Sequence, residues 1–306
     1  MSKVKHFGVN PMILTNKHNL PETFRNAVRF LEKVRKPIDE KRNSISVTRL
    51  IDSPRILQLQ KRNGHSLTTD VTDQLWALLG SALHQVLAWS TDNDDVLTEQ
   101  RMSVEINGWE VSGQFDRFDT AIGLLSDYKV TSVYGVTYGI KPEWEKQLNV
   151  LRYLLALNQY RVDRLEIIAV LRDWQSAQAL RDPNYPKIPV VRLEVPVWDL
   201  IEAEDYIVSR VQLHQQAASD DNLPECSAAE RWAKTPTYAV VKPGRSRAFR
   251  VFDNRQEAES LIDNTPGTSL QVRPGTSVRC ERFCPCNAVC DQYQSSLQNL
   301  HPPIAA

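Results

Sequence analysis

The sequence predicts an α/β protein, with a mixed central sheet flanked by helices and then a small α+β lobe that carries cysteines. Three observations predict it. Alternating apolar and polar runs cluster between 101 and 131, the apolar run RLEIIAVL reads as a strand buried on both faces, and segments of helical periodicity surround them. With 306 residues, the chain suits one core plus an accessory lobe. The expected divisions are an N-terminal extension over 1–45, a core over 46–217 and the cysteine-bearing lobe over 218–306.

In chain order, TFRNAVRFLEKV reads as one peripheral helix, and VTRLIDSPRILQLQKRN as a helix interrupted at Pro54. From Thr72 to Trp89 the pattern predicts a helix with Leu75, Leu79, Ala82 and Val86 on one apolar face. Gly80 and His84 lie on another face, and the glycine is expected to permit close approach there. RMSVEING and WEVSGQFDRFD read as strands joined by an Asn107-Gly108 turn, with GLLSDYKVTSV as the next antiparallel neighbour. A helix from about Glu143 to Asn158 then leads into RLEIIAVL beside the same sheet, and VWDLIEAEDYIVSRVQL forms a closing helix.

The stretch 217–225 lacks periodicity and marks the boundary. Beyond it, YAVVKPGRSRAFRVFD reads as a hairpin around Pro243-Gly244, NRQEAESLI as a helix and SLQVRP as a strand. No internal repeat is present, and no GxxxxGK[ST] loop, so a built-in ATP motor is not expected.

Composition narrows the function classes. A hydrophobic fraction of 42% and a charged fraction of 24% belong to an ordinary globular chain, which excludes a disordered or fibrous role. The 37 basic residues balance 37 acidic ones, so any grip on a nucleic acid must be local. No run approaches the roughly 18 apolar residues of a membrane helix, and the opening MSKVKHFGVNPM lacks an apolar signal core. A cytoplasmic protein with no membrane partner is therefore expected.

Asp127-Tyr128-Lys129 places an acid and a lysine on one face of a strand, because successive side chains alternate. Asp116, after Gly113-Gln114-Phe115, precedes it across a short turn, so two carboxylates can share a hard divalent ion such as Mg²⁺ or Mn²⁺. Asp119 and Glu99 are spare acids nearby. A D-x-K triplet alone is common on solvated strands, and a histidine such as His84 is more often a satisfied core or surface residue than a ligand.

The order is more specific than its parts. Gly80-Ser81-Ala82-Leu83-His84, Gly113-Gln114-Phe115-Asp116, Asp127-Tyr128-Lys129 and Gln147-Leu148-Asn149 together resemble the PD-(D/E)XK nucleases, nearest the RecB-like branch, over roughly 45–172. The resemblance implies a restriction-endonuclease-like core and hydrolysis of DNA phosphodiesters. His84, Asp116 and Asp127 would be metal ligands with the Tyr128 backbone carbonyl, Lys129 catalytic, and Gln147 a residue lining the site. Imidazole biases such a site toward Mn²⁺. One departure is Leu151, where the branch often carries tyrosine; Tyr153 stands two residues further on.

Five cysteines, at 226, 280, 284, 286 and 290, follow a long cysteine-free stretch, a poor layout for disulfides and a good one for a soft metal. Cys280, Cys284 and Cys290, with Pro285 after the second, resemble the C-terminal iron-sulfur staples of RecB-like nucleases, including AddB-type subunits and the CRISPR-associated four-cysteine nucleases. A [4Fe-4S] cluster is implied. In those relatives the first cysteine usually precedes the core, so the fourth ligand here is a choice, with Cys226 preferred to Cys286. Zn²⁺ is the alternative, although no C-x-x-C is present and His301 is the only later histidine.

Lys242, Arg245, Arg247 and Arg250 bracket the predicted hairpin tip, and Arg49 and Arg55 flank the Ser53-Pro54 break. Both sets are candidate phosphate contacts, although solvated charge is the commoner role for such residues. The resemblance implies an exonuclease acting on DNA with free ends in recombination, repair or phage DNA processing, in a bacterial or phage-infected cell. A homo-oligomer or a recombination partner protein is compatible with it. An endonuclease on the same fold and an inactive DNA-binding or assembly subunit are the alternatives.

Overall fold

The computed structural model describes residues 12–34, 43–90 and 93–300. The chain divides into two compact units, Met1–Leu223 and Pro224–Ala306. The division falls within the aperiodic stretch marked by the sequence. Described residues before 46 are built into the first unit rather than set apart. Ile13–Thr15 pairs in parallel with Thr68–Asp70, Ser44–Ser46 pairs in parallel with Trp109–Gln114, and helix Glu22–Val34 packs on helix Val71–Trp89.

The first unit is α/β with mixed sheets flanked by helices. Its five-stranded sheet runs in the order Val190–Val195, Arg164–Leu171, Leu124–Thr131, Arg117–Asp119, Val96–Thr98. Leu124–Thr131 is parallel to Arg164–Leu171, and the remaining pairs are antiparallel. The parallel pair needs a long crossover, and helix Pro142–Leu157 lies within it. Pro142 starts that helix at a position where no backbone donor is lost. Its buried Leu148, Leu151, Leu154 and Leu155 join Phe115, Phe118, Leu125, Leu165 and Ile167 in the core.

Helix Leu200–Ser219 closes this core through Ala203, Ile207 and Val211. Near its C-terminal end, Arg210 and His214 both donate to the carbonyl of Leu50, where helix Val47–Leu50 ends. Arg210 also binds the carbonyl of Asp52. Those carbonyls would otherwise be orphaned at a helix end.

The segment WEVSGQFDRFD departs from expectation. It is not one strand but two, in two different sheets. Trp109–Gln114 lies between Ser44–Ser46 and Arg101–Ile106, whereas Arg117–Asp119 belongs to the five-stranded sheet. Asn107 and Gly108 both adopt positive φ, 48° and 74°, which the two-residue hairpin turn requires. Phe115 and Asp116 are the residues that cross between sheets.

Helix Val71–Trp89 carries two further corrections. Of the expected apolar face, Leu79, Ala82 and Val86 are exposed and Leu75 is half-buried, and Val71 is the helix's one fully buried residue. Gly80 has open space where a Cβ would stand, so close approach does not explain it. The crowded glycine is Gly113, whose Cβ would strike the side chains of Leu151 and Val47.

The second unit holds the antiparallel strands Arg250–Phe252, Thr237–Val241 and Ser269–Arg273, with helix Arg255–Asp263 packed on them. Asn254 caps that helix by accepting the Gln256 N–H at 2.8 Å. Ala233–Lys234 pairs with Thr276–Ser277, which leads into the cysteine-bearing helix Val278–Arg282.

The two glycines predict opposite effects. Gly113→Ala overpacks the core and should cost about 1 to 3 kcal/mol, whereas Gly80→Ala should stabilise by up to about 1 kcal/mol. Denaturant melts of the two variants check this, and a destabilised Gly80→Ala would show an unrecognised constraint at that turn.

Candidate metal centre

His84 is positioned by a helix whose start is firmly fixed. Asp70 accepts the Thr72 N–H at 3.1 Å, and Asp73 reciprocates by accepting the Asp70 N–H at 3.2 Å. Such a capping box satisfies donors left orphaned by the first turn. The other Asp70 oxygen accepts the Lys17 N–H at 2.8 Å and the Thr15 hydroxyl at 2.7 Å. These bonds, the Lys17 one first, hold the Asp70 carboxyl well below the usual carboxylate range.

Asp116 reaches the site from the crossing between sheets. One of its oxygens accepts the Tyr128 backbone N–H at 2.7 Å, and the other lies 3.2 Å from His84 Nδ1. His84 Nε2 is 2.9 Å from the Tyr128 carbonyl, and the two rings meet edge to face with centroids 6.0 Å apart. When Nε2–H donates to that carbonyl, a neutral imidazole keeps its lone pair on Nδ1, facing the carboxylates. The Tyr128 carbonyl, expected as a metal ligand, thus already accepts a hydrogen bond.

Glu99 completes this group. Its Oε1 is 3.9 Å from His84 Nδ1, and ligand atoms of His84, Glu99 and Asp116 all lie within 4.8 Å of one another. Neighbouring ligands on an octahedral ion with bonds of about 2.1 Å stand about 3 Å apart, so the spacing needs little adjustment. Sequence alone left Glu99 as a spare acid. It occupies the left-handed region at φ 51°, between Val96–Thr98 and Arg101–Ile106, and its N–H donates to the Asp116 carbonyl at 3.1 Å. Strained non-glycine backbone of this kind is often found at functional sites.

Asp127 and Lys129 form the adjoining half. Lys129 Nζ is 2.6 Å from Asp127 Oδ2 and donates to Gln147 Oε1 at 3.0 Å, while Gln147 Nε2 donates to Asp127 Oδ1 at 2.9 Å. Gln147 therefore fixes both side chains. Asp127 is buried, and its Oδ2 has no donor aimed along a hydrogen-bonding direction despite the nearby ammonium.

Charge balance explains the titration behaviour. The Asp116 bond raises the His84 pKa against the opposing effect of burial. Burial and then Asp116 raise Glu99, and burial raises Asp127 against the pull of Lys129. With His84 neutral, as a ligand must be, three carboxylates face one ammonium. Two negative charges remain, the complement of one divalent cation. The oxygen-rich donor set of Asp116, Glu99 and the His84 imidazole fits a hard ion of this kind.

The remaining candidates fall elsewhere. Arg55 is 3% exposed, and its guanidinium donates to the Leu223 carbonyl at 2.7 Å, so it is not placed for a phosphate. Arg49 is half-buried and bonded to Gln60 at 2.7 Å. Lys242, Arg245, Arg247 and Arg250 are exposed in the second unit, where Arg250 lies 4.9 Å from the Phe252 ring centroid. Tyr153 is buried in the core.

No disulfide joins the five cysteines, and of them Cys284 alone is not buried. Burial raises the Cys280 pKa, and Cys284 and Cys290 raise it further, which places these three within electrostatic reach of each other. Cys226 is tied to the same segment: its N–H donates to Gln292 Oε1 at 2.9 Å, and its carbonyl accepts from Gln292 Nε2 at 3.0 Å. Cys286 is fully buried. His301, weighed for zinc, lies outside the described residues.

No protein-family model matches the chain, and no curated protein matches it. Among solved structures it is similar to one described as "Crystal structure of SSO0001", with 16% identity over 69% of this chain and 90% of that one, and a TM-score of 0.44. A likeness at that level carries no functional argument. No helix among the described residues is long and apolar enough to cross a membrane.

If the three-residue group is a metal site, His84→Ala, Asp116→Asn and Glu99→Gln should each weaken Mn²⁺ binding by roughly tenfold or more. Titration calorimetry measures this directly. Unchanged affinity in Glu99→Gln would remove Glu99 from the ligand set.

Proposed function

We propose that the chain is a divalent-metal-dependent DNA nuclease of the PD-(D/E)XK type, RecB-like, working as an exonuclease. The observation that carries this reading is the meeting of the His84, Asp116 and Glu99 group with the Asp127, Lys129 and Gln147 network around strand Leu124–Thr131. His84, Asp116 and Glu99 would hold Mg²⁺ or Mn²⁺, with Asp127 the adjacent carboxylate. When bound, such an ion polarises a phosphoryl oxygen and lowers the pKa of its water.

The chain's own residues do the rest. Gln147 holds the Lys129 ammonium against Asp127, so the cation is already oriented before substrate arrives. A preorganised ammonium stabilises negative charge developing on the phosphoryl oxygens without reorganising at that moment. Asp116, anchored by the Tyr128 N–H, keeps one oxygen directed at His84 and its neighbours.

Purified protein with Mn²⁺ should degrade linear DNA and spare covalently closed circles, with Lys129→Ala reduced by roughly a hundredfold or more. Cutting of circles would make the enzyme an endonuclease. Full activity in Lys129→Ala would overturn the site.

The cysteines support a [4Fe-4S] cluster held by Cys280, Cys284, Cys290 and Cys226. Cys280, whose pKa is raised by burial and then by the neighbouring Cys284 and Cys290, stands in the setting that a soft cation relieves. The Gln292 clamp on Cys226 favours it over Cys286 as fourth ligand. Anaerobic protein should be brown and contain iron, Cys226→Ala should lose it, and Cys286→Ala should retain it. Colourless protein loaded with zinc would refute the assignment.

A further inference from the structure

Strand Leu124–Thr131 ends two residues beyond Lys129, and an unusual surface gathers there. The short helix Tyr134–Thr137 follows. Tyr134 and Tyr138 are 74% and 79% exposed, and their rings meet edge to face at 5.3 Å. The Lys141 ammonium lies beside Gly135 and 4.7 Å from the Trp144 ring. Arg172 donates its N–H to the Thr131 carbonyl at 2.9 Å and stacks its guanidinium 4.4 Å from the centroid of Trp76, itself 54% exposed.

Single exposed rings need no explanation. Here two exposed rings follow a strand end that lies about 7 Å along the strand from Lys129, and Arg172 ties a third, Trp76, to the same end. Trp76 stands on the His84 helix, about 12 Å along its axis before the histidine. Asp173, next to Arg172, accepts the Val133 N–H at 2.7 Å. An aromatic surface edged by cations complements nucleobases joined by phosphates.

We infer that Trp76, Tyr134 and Tyr138, with Arg172 and Lys141, form a stacking platform for an unpaired DNA strand leading into the metal centre. This rests on the nuclease reading and adds its substrate class. Base faces are accessible only when unpaired, so the platform selects single-stranded DNA over duplex. Stacking on aromatic rings is tolerant of sequence, and each ring contributes substantially to affinity. A duplex presents its phosphates outward and would gain from the two cations alone.

The test is fluorescence anisotropy in EDTA with a labelled oligothymidine of about 15 nucleotides, within the range of single-strand footprints, beside a blunt duplex of equal length. Trp76→Ala and the double variant Tyr134→Ala/Tyr138→Ala should each lose roughly tenfold or more in affinity for the single strand. Duplex binding should change less than twofold, and Trp76→Phe should restore single-strand binding. Photocrosslinking of a bromodeoxyuridine oligonucleotide to unaltered protein should map to these rings. Equal loss on both DNAs, no loss, or crosslinks confined to other surfaces would overturn the platform. If the unaltered protein degrades DNA while the ring variants bind normally, the platform fails alone. If it neither binds nor degrades DNA, the nuclease reading fails with it.

Discussion

The hydrogen bond from the Tyr128 N–H to Asp116 ties the crossing between two sheets of the first unit to the strand that carries Asp127. Asp116 stands where the chain leaves the sheet containing Trp109–Gln114 and enters the one containing Arg117–Asp119. Its backbone carbonyl receives Glu99, and its second oxygen faces His84. One residue thus sets the positions of two other acids and an imidazole. The ladder from Arg117 onward sets the register against the Asp127 strand, and the Tyr128 bond fixes where the Asp116 carboxylate lies within it.

Convergence of this kind works against stability. Burial, and with it the charge of Asp116, raises the pKa of both Glu99 and Asp127. The core beneath offsets this: Phe115 and Phe118 flank Asp116, fully buried, and pack edge to face at 6.1 Å. Two apolar anchors on either side of an acid hold its backbone while its carboxylate stays polar. The capping box at Asp70 does the same for His84 from further away.

Element types were legible because their periods differ. The helix Pro142–Leu157, the Asn107-Gly108 turn and the run RLEIIAVL each announce themselves within a short window. The division of WEVSGQFDRFD between two sheets was not legible, since an alternating pattern says which face is buried and not which partner pairs with it. Glu99 shows the same limit at the site: its closeness to Asp116 comes from a positive-φ turn and a backbone bond, neither of which has a sequence period. Helix Val71–Trp89 misled in the other direction, because Leu79 and Val86 look like core and face outward.

Those outward apolar residues bear on the wider electrostatic question. The chain is neutral overall, and the proposed metal site carries an excess of carboxylates, so neither can draw a polyanion by long-range attraction. On the proposed reading, affinity must come from short-range contacts near the site. Arg172 and Lys141 supply two cations, too few for strong binding by counterion release alone. Rings that stack on bases add affinity without net charge, and they do so only where the strand is open. A neutral nuclease with few phosphate contacts is therefore best served by the unpaired end of its substrate, where the chemistry and the stacking surface meet.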